Sequence, residues 1–178
     1  NIPSEVAELA SMSMELISME HWHHFFKNPE DLKKAKRKHL EDVLKGLPWI
    51  ACIDAFQHWI YTHQQHNAEQ RSEAWVNIFC RFSGKIVDWS DLEHIRAILW
   101  QKQLHIFEVP FYYIEYGFAQ LSAIAMWRNY RANPSETIKN YLEALKMGYT
   151  SSIGEIYERA GVKFDFSEAY IHELSEFV

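Results

Sequence analysis

The chain opens with Glu5, Glu8 and Glu15 on what reads as one helix, with no Lys or Arg beside them. At 3.6 residues per turn, Glu5, Glu8, Met12, Glu15 and Met19 fall on one stripe, and Val6, Leu9, Ala10, Leu16 and Ile17 on another. Glu5 and Glu8 repel each other at i, i+3. Such a stripe serves either as a solvated acidic face, with Glu5 favoured by the helix N-terminus, or as a place where one carboxylate meets a cation. A second group lies in "MEHWHHFF", where Glu20 and His23 have the E-x-x-H spacing used in di-iron carboxylate bundles, imitated later by Asp91 and His94. Such a site needs further glutamates on two other helices and a second true E-x-x-H, a set that does not assemble here. His21, His23 and His24 are read as surface or interface residues. The third group is His105 with Tyr112, Tyr113 and Tyr116, around a Pro110 that predicts a helix start. A His beside Tyr hydroxyls is equipped to donate hydrogen bonds to a developing oxyanion; an aromatic packing cluster uses the same residues. No serine-triad elbow, phosphate loop or dinucleotide fingerprint occurs, and His172-Glu173 lacks the second His of an H-E-x-x-H.

The elements that position these groups are helices. Only 6 Gly and 5 Pro punctuate 178 residues that are 48% hydrophobic and 15% aromatic, which favours long helices around a packed core over a many-turned β fold. The pattern predicts an all-α chain, with helices near residues 4–26, 29–45, 48–65, 68–83, 90–104, 110–131, 134–147, 152–160 and 167–177. Asn28-Pro29 and Asn133-Pro134 are N-terminal signals, Ser90–Glu93 and Ser152–Glu155 capping boxes, and Gly148 and Gly161 C-terminal stops. The segment from Ile50 to Tyr61 is apolar nearly all round, so Asp54, Gln57 and His58 within it need hydrogen-bond partners, as an internal network or in catalysis. No repeat or linker divides the chain, and residues 1–178 are expected to be one helical segment.

A net charge of −6 argues against a nucleic-acid partner. The one basic run, "KKAKRKH", is followed by Glu41 and Asp42 and reads as a solvated helix face. No apolar run approaches the length of a membrane span. Cys52 and Cys80 lack partners at zinc-finger spacing and are expected to be buried free thiols of a reducing compartment, the cytoplasm. The first residue is Asn1 rather than Met, which fits a segment of something longer.

Taken jointly, "PSEVAELAS" (Pro3 to Ser11) and the stretch from His105 to Tyr116 resemble the oligoendopeptidase F family, zinc metallopeptidases related to thimet oligopeptidase. "LPWIACIDAFQHWIYTH" and the closing "GVKFDFS" resemble its bacterial branch, so the likeness covers the whole chain. In that family an H-E-x-x-H helix supplies two zinc-ligating His and a catalytic Glu, and a glutamate in a pattern like P-[ST]-E-x-x-E-x-x-S supplies the third ligand. The resemblance therefore implies Glu8 as the zinc ligand, Tyr116, His105 and Tyr113 as donors to the transition-state oxyanion, and Tyr112 as a substrate-binding residue. Glu15 and Glu5 are candidates for orienting the ligand shell. The H-E-x-x-H motif is absent from this sequence. The expectation is thus the C-terminal part of a zinc metalloendopeptidase acting on oligopeptides, inactive alone, with the N-terminal part of the same enzyme as partner. A di-iron bundle and a non-catalytic helical interaction module are the other classes the residues admit.

Overall fold

The computed structural model describes residues 3–84 and 86–178. As the sequence predicts, the fold is all-α, and no strand occurs among the described residues. The chain divides into two compact units, Asn1–Val43 with Glu115–Val178, and Leu44–Ile114.

In the first unit, α1 (Ser4–Ser18) buries Val6, Leu9, Ser13, Leu16 and Ile17 along one face. The expected continuation to residue 26 is instead a 3₁₀ segment, Met19–His24. There the Ser18 hydroxyl donates to the Glu15 carbonyl at 2.8 Å and accepts the Trp22 indole N–H at 3.1 Å, local bonds that compete with regular winding. Helix α2 (Pro29–Thr62) starts as predicted, with Asn28 Oδ1 accepting the Glu30 N–H at 2.9 Å. The basic run forms a largely exposed face, paired from Arg37 to Glu41 and from Lys38 to Asp42.

The remaining helices whose residues build this unit are α6 (Ile114–Ala132), α7 (Pro134–Met147), α8 (Ile153–Arg159) and α9 (Glu168–Phe177), whereas α3 (Ala68–Phe82), α4 (Glu93–Ile98) and α5 (His105–Glu108) belong to the other unit. Their ends carry the predicted chemistry: Asn133 caps α7, Ser152 and Glu155 form a reciprocal box on α8, and Gly148 and Gly161 take positive φ of 54° and 80°. Helix α1 is fixed against this group by the hydroxyls of Tyr141 and Tyr157, which donate to the Ala10 carbonyl at 3.4 Å and the Glu5 carbonyl at 3.2 Å.

Helix α2 corrects the expected pair 29–45 and 48–65, since it runs unbroken through Gly46 and Pro48. An interior Pro costs about 3 kcal/mol. Val43, Ile50, Ile53 and Phe56 at helical spacing are buried on both sides of it, and a broken helix would lose that continuous face.

The second unit packs the latter part of α2 against α3 (Ala68–Phe82), α4 (Glu93–Ile98), a 3₁₀ turn (Leu99–Lys102) and α5 (His105–Glu108). Its core joins Cys52, Ile53, Phe56, Trp75, Ile78, Trp100 and Ile106. The Trp75 indole donates to the Arg96 carbonyl at 2.8 Å, anchoring the C-terminal half of α4. The capping box expected at Ser90–Glu93 does not form. Asp88 takes both the Ser90 N–H and hydroxyl, Asp91 adopts φ 65°, and the helix begins two residues later. Cys52 is buried, which pushes its thiol up to about 12, but Cys80 is exposed, contrary to expectation. Among the polar residues flagged on α2, Asp54 pairs with His58 at 3.5 Å, and burial pushes its carboxyl above the usual range. Gln57 is fully buried with neither end of its amide hydrogen-bonded, so it does not join that network. No described helix is long and apolar enough to cross a membrane.

Candidate active site

The residues singled out fall in both units, Glu8 and Tyr116 in the first and His105, Tyr112 and Tyr113 in the second. Around the start of α1, Glu5 and Glu8 are half-buried, whereas Glu15 is exposed. The Ser11 hydroxyl lies 3.1 Å from the Glu8 carbonyl and 3.4 Å from Glu8 Oε2. Glu115, in the first turn of α6, is a third carboxylate of this region. Burial pushes its carboxyl above the ordinary value, a Ser4 hydroxyl bond opposes the shift, and the nearby charges of Glu5 and Glu8 reinforce it. The Tyr157 phenol is also driven upward, by burial first and then by Glu5 and Glu115. A cation beside Glu115 would relieve the opposition to its ionisation. Tyr116 follows Glu115 in the same turn and is half-buried.

In the second unit, His105 opens the single turn of α5. The chain then passes Pro110 and Phe111, whose left-handed φ of 62° ends any helix there. The predicted helix start at Pro110 therefore shifts to Ile114, so that Tyr113 lies ahead of α6 and Tyr116 within its first turn. The same bend brings Tyr112 and Tyr113 back onto the imidazole. Ring centroids of His105 and Tyr113 are 4.9 Å apart, and those of His105 and Tyr112 are 6.2 Å apart in near-parallel planes.

Two residues that the sequence reading did not single out complete this turn. Gln103 Nε2 lies 2.7 Å from His105 Nδ1, and Gln103 Oε1 accepts the Trp49 indole N–H at 2.9 Å. No local spacing signals this, because Trp49 stands 54 residues before Gln103.

The profile of peptidase family M3 matches residues 1–176. The chain belongs to peptidase family M3. Among solved structures, this M3 chain is similar to PZ peptidase A bound to an inhibitor, with 30% identity and a TM-score of 0.87 over 97% of this chain and 31% of the other. It is similar also to a protein assigned as oligoendopeptidase F, with 28% identity and a TM-score of 0.86 over 97% and 30% of the two chains. An oligoendopeptidase F assignment from Bacillus anthracis str. Ames gives 28% identity and a TM-score of 0.73 over 98% and 28%. The chain thus spans about a third of the length of these solved relatives. A search of curated proteins found no match.

The other groups of this M3 chain have different employment. Glu20 accepts the Trp127 indole N–H at 3.0 Å with Arg131 at 3.7 Å, and His21, His23 and His24 are exposed, as expected of surface residues. Asp91 lies before α4 and His94 within it, so that pair does not share a helix. No group of three His, Cys, Asp or Glu side chains able to hold a metal occurs among the described residues. A cavity of about 590 Å³ between the end of α2 and α3, lined by Trp59, His63, His66, Gln70 and Glu73 among others, includes none of the candidate catalytic residues.

Proposed function

We propose that this chain is the C-terminal part of an M3 zinc metalloendopeptidase that hydrolyses peptide bonds in short oligopeptides. The observation that carries the reading is the family match along nearly the whole chain, residues 1–176. Support for a zinc role comes from the α1 region. Glu8 offers a carboxylate, a ligand type zinc accepts, in a place where burial first, and neighbouring acids after it, push the Glu115 carboxyl up. One carboxylate makes one ligand, and the described residues provide no second and third beside it. The two remaining ligands, and the Glu that takes a proton from the attacking water, are assigned to an H-E-x-x-H helix in the rest of the enzyme.

When bound, zinc supplies Lewis-acid chemistry, polarising the scissile carbonyl and acidifying water. Tyr116, His105 and Tyr113 donate hydrogen bonds to the oxygen on which negative charge develops, each such donor being worth about 3 kcal/mol. Tyr112 binds substrate. The oxygen gains charge only as the bond is attacked, so these donors act on the transition state more than on the bound peptide.

The chain alone is then inactive. The test is a peptidase assay of the purified 178-residue polypeptide supplied with zinc. No turnover is expected, and chelator-sensitive cleavage would overturn the division of the site.

A further inference from the structure

We propose that Gln103 is a positioning residue that holds His105 in the tautomer carrying its proton on Nε2, with Trp49 fixing the amide that does so. The proposal rests on the reading of His105 as an oxyanion donor, and it follows from which groups are able only to give. An indole N–H donates and never accepts. The end of the Gln103 amide that meets Trp49 Nε1 at 2.9 Å is therefore the carbonyl oxygen. The other end is then the NH₂ group, which meets His105 Nδ1 at 2.7 Å. A donor facing Nδ1 requires a lone pair there, and a neutral imidazole with a lone pair on Nδ1 carries its hydrogen on Nε2. The proton is thereby placed on the opposite edge of the ring, as a donor.

Each link of this relay is fixed by packing. The Trp49 ring stands edge-on to Trp75 at 5.7 Å, in the second unit's core, and to Phe79 at 6.5 Å, which packs against that core. The Lys102 ammonium lies 4.2 Å over its face, where a cation draws on the ring's electrons and strengthens the indole N–H as a donor. Gln103 lies between the 3₁₀ turn and α5, with its own N–H bonded to the Trp100 carbonyl at 3.0 Å. Tyr112 and Tyr113 flank the imidazole. Glutamine suits the position because one planar group carries an acceptor and a donor. A glutamate there would still satisfy Trp49, yet it would present an acceptor to Nδ1 and draw the proton to that side. A neutral ring would then turn a lone pair, not a hydrogen, toward the developing oxyanion.

The test is nitrogen NMR of the ¹⁵N-histidine-labelled 178-residue protein, at a pH high enough for the ring to be neutral. His105 is expected to show an unprotonated Nδ1 and a protonated Nε2, and Gln103→Glu is expected to exchange the two. A wild-type ring protonated on Nδ1 overturns the proposal without need of any variant. So does an unchanged ring in a Gln103→Glu protein whose near-UV circular dichroism is native. In the intact peptidase, Gln103→Glu should lower kcat about 10- to 100-fold, less than outright loss of a donor, with KM and zinc content unchanged. If the tautomer switches and kcat does not move, Gln103 has no positioning role in the reaction and the donor role of His105 fails, while the family reading is untouched.

Discussion

At the start of α1, like charges are gathered, and Glu115 shows the effect in a carboxyl pushed up by burial and by Glu5 and Glu8. Around His105 the polar groups instead answer one another, from the Trp49 indole through the Gln103 amide to the imidazole. The first region is arranged so that something positive would be welcome; the second is arranged so that a hydrogen is already aimed. A metallopeptidase needs both kinds of preparation. The backbones differ in the same sense. The carboxylates ride on regular helix, where position follows from the period, whereas His105 and its tyrosines depend on a left-handed Phe111 and on residues distant in sequence.

The contrast is open to attack from the packing side first. Trp75→Ala removes a fully buried indole from the second unit's core and its bond to Arg96. It should destabilise the protein by about 3–5 kcal/mol in chemical denaturation. By hydrogen exchange, the amides of α3 and α4 should lose protection ahead of those in α8. Equal loss in both units would mean that the two regions do not rest on separate cores.

Next in size is Tyr116→Phe in the intact peptidase. It should leave zinc in place and lower kcat about 100- to 1000-fold, as expected for removal of one oxyanion donor. Unchanged kcat would take Tyr116 out of that role and leave the donors to the His105 turn. The smallest effect belongs to the acidic region. Glu115 has a raised folded-state value, so its contribution is present below the unfolded carboxylate value and is lost as pH rises through the folded one. Glu115→Gln should therefore raise the thermal midpoint slightly at neutral pH and bring no such gain in acid. A midpoint that falls at neutral pH would contradict the crowding of charge inferred there.

Much of the scaffold was legible because its signals are local. Asn133 with Pro134, Ser152 with Glu155, and Gly148 and Gly161 each act within a turn of where they stand, and each behaves as the sequence predicts. The stripe of α1 follows from the 3.6-residue period alone, down to buried Val6, Leu9, Leu16 and Ile17. What escaped was decided by tertiary contacts. Burial around Val43, Ile50 and Ile53 overrides the stop signal of Pro48. Asp88 takes the serine hydroxyl that would have capped α4. Of the candidate site, the residue types were readable at Glu8, His105, Tyr112, Tyr113 and Tyr116. The Trp49–Gln103 relay behind His105 was not, since no periodicity links residues brought together by folding across most of the second unit.

The reading depends most on Glu8 as the carboxylate that completes a zinc site. Zinc affinity of the intact enzyme and of its Glu8→Gln variant, measured by competition with a chelator, tests this directly. One tightly held zinc is expected in the wild type, and in the variant a loss well beyond the roughly 10- to 100-fold that changes around a ligand shell produce. A Glu8→Gln enzyme that keeps its zinc as tightly as the wild type would contradict it.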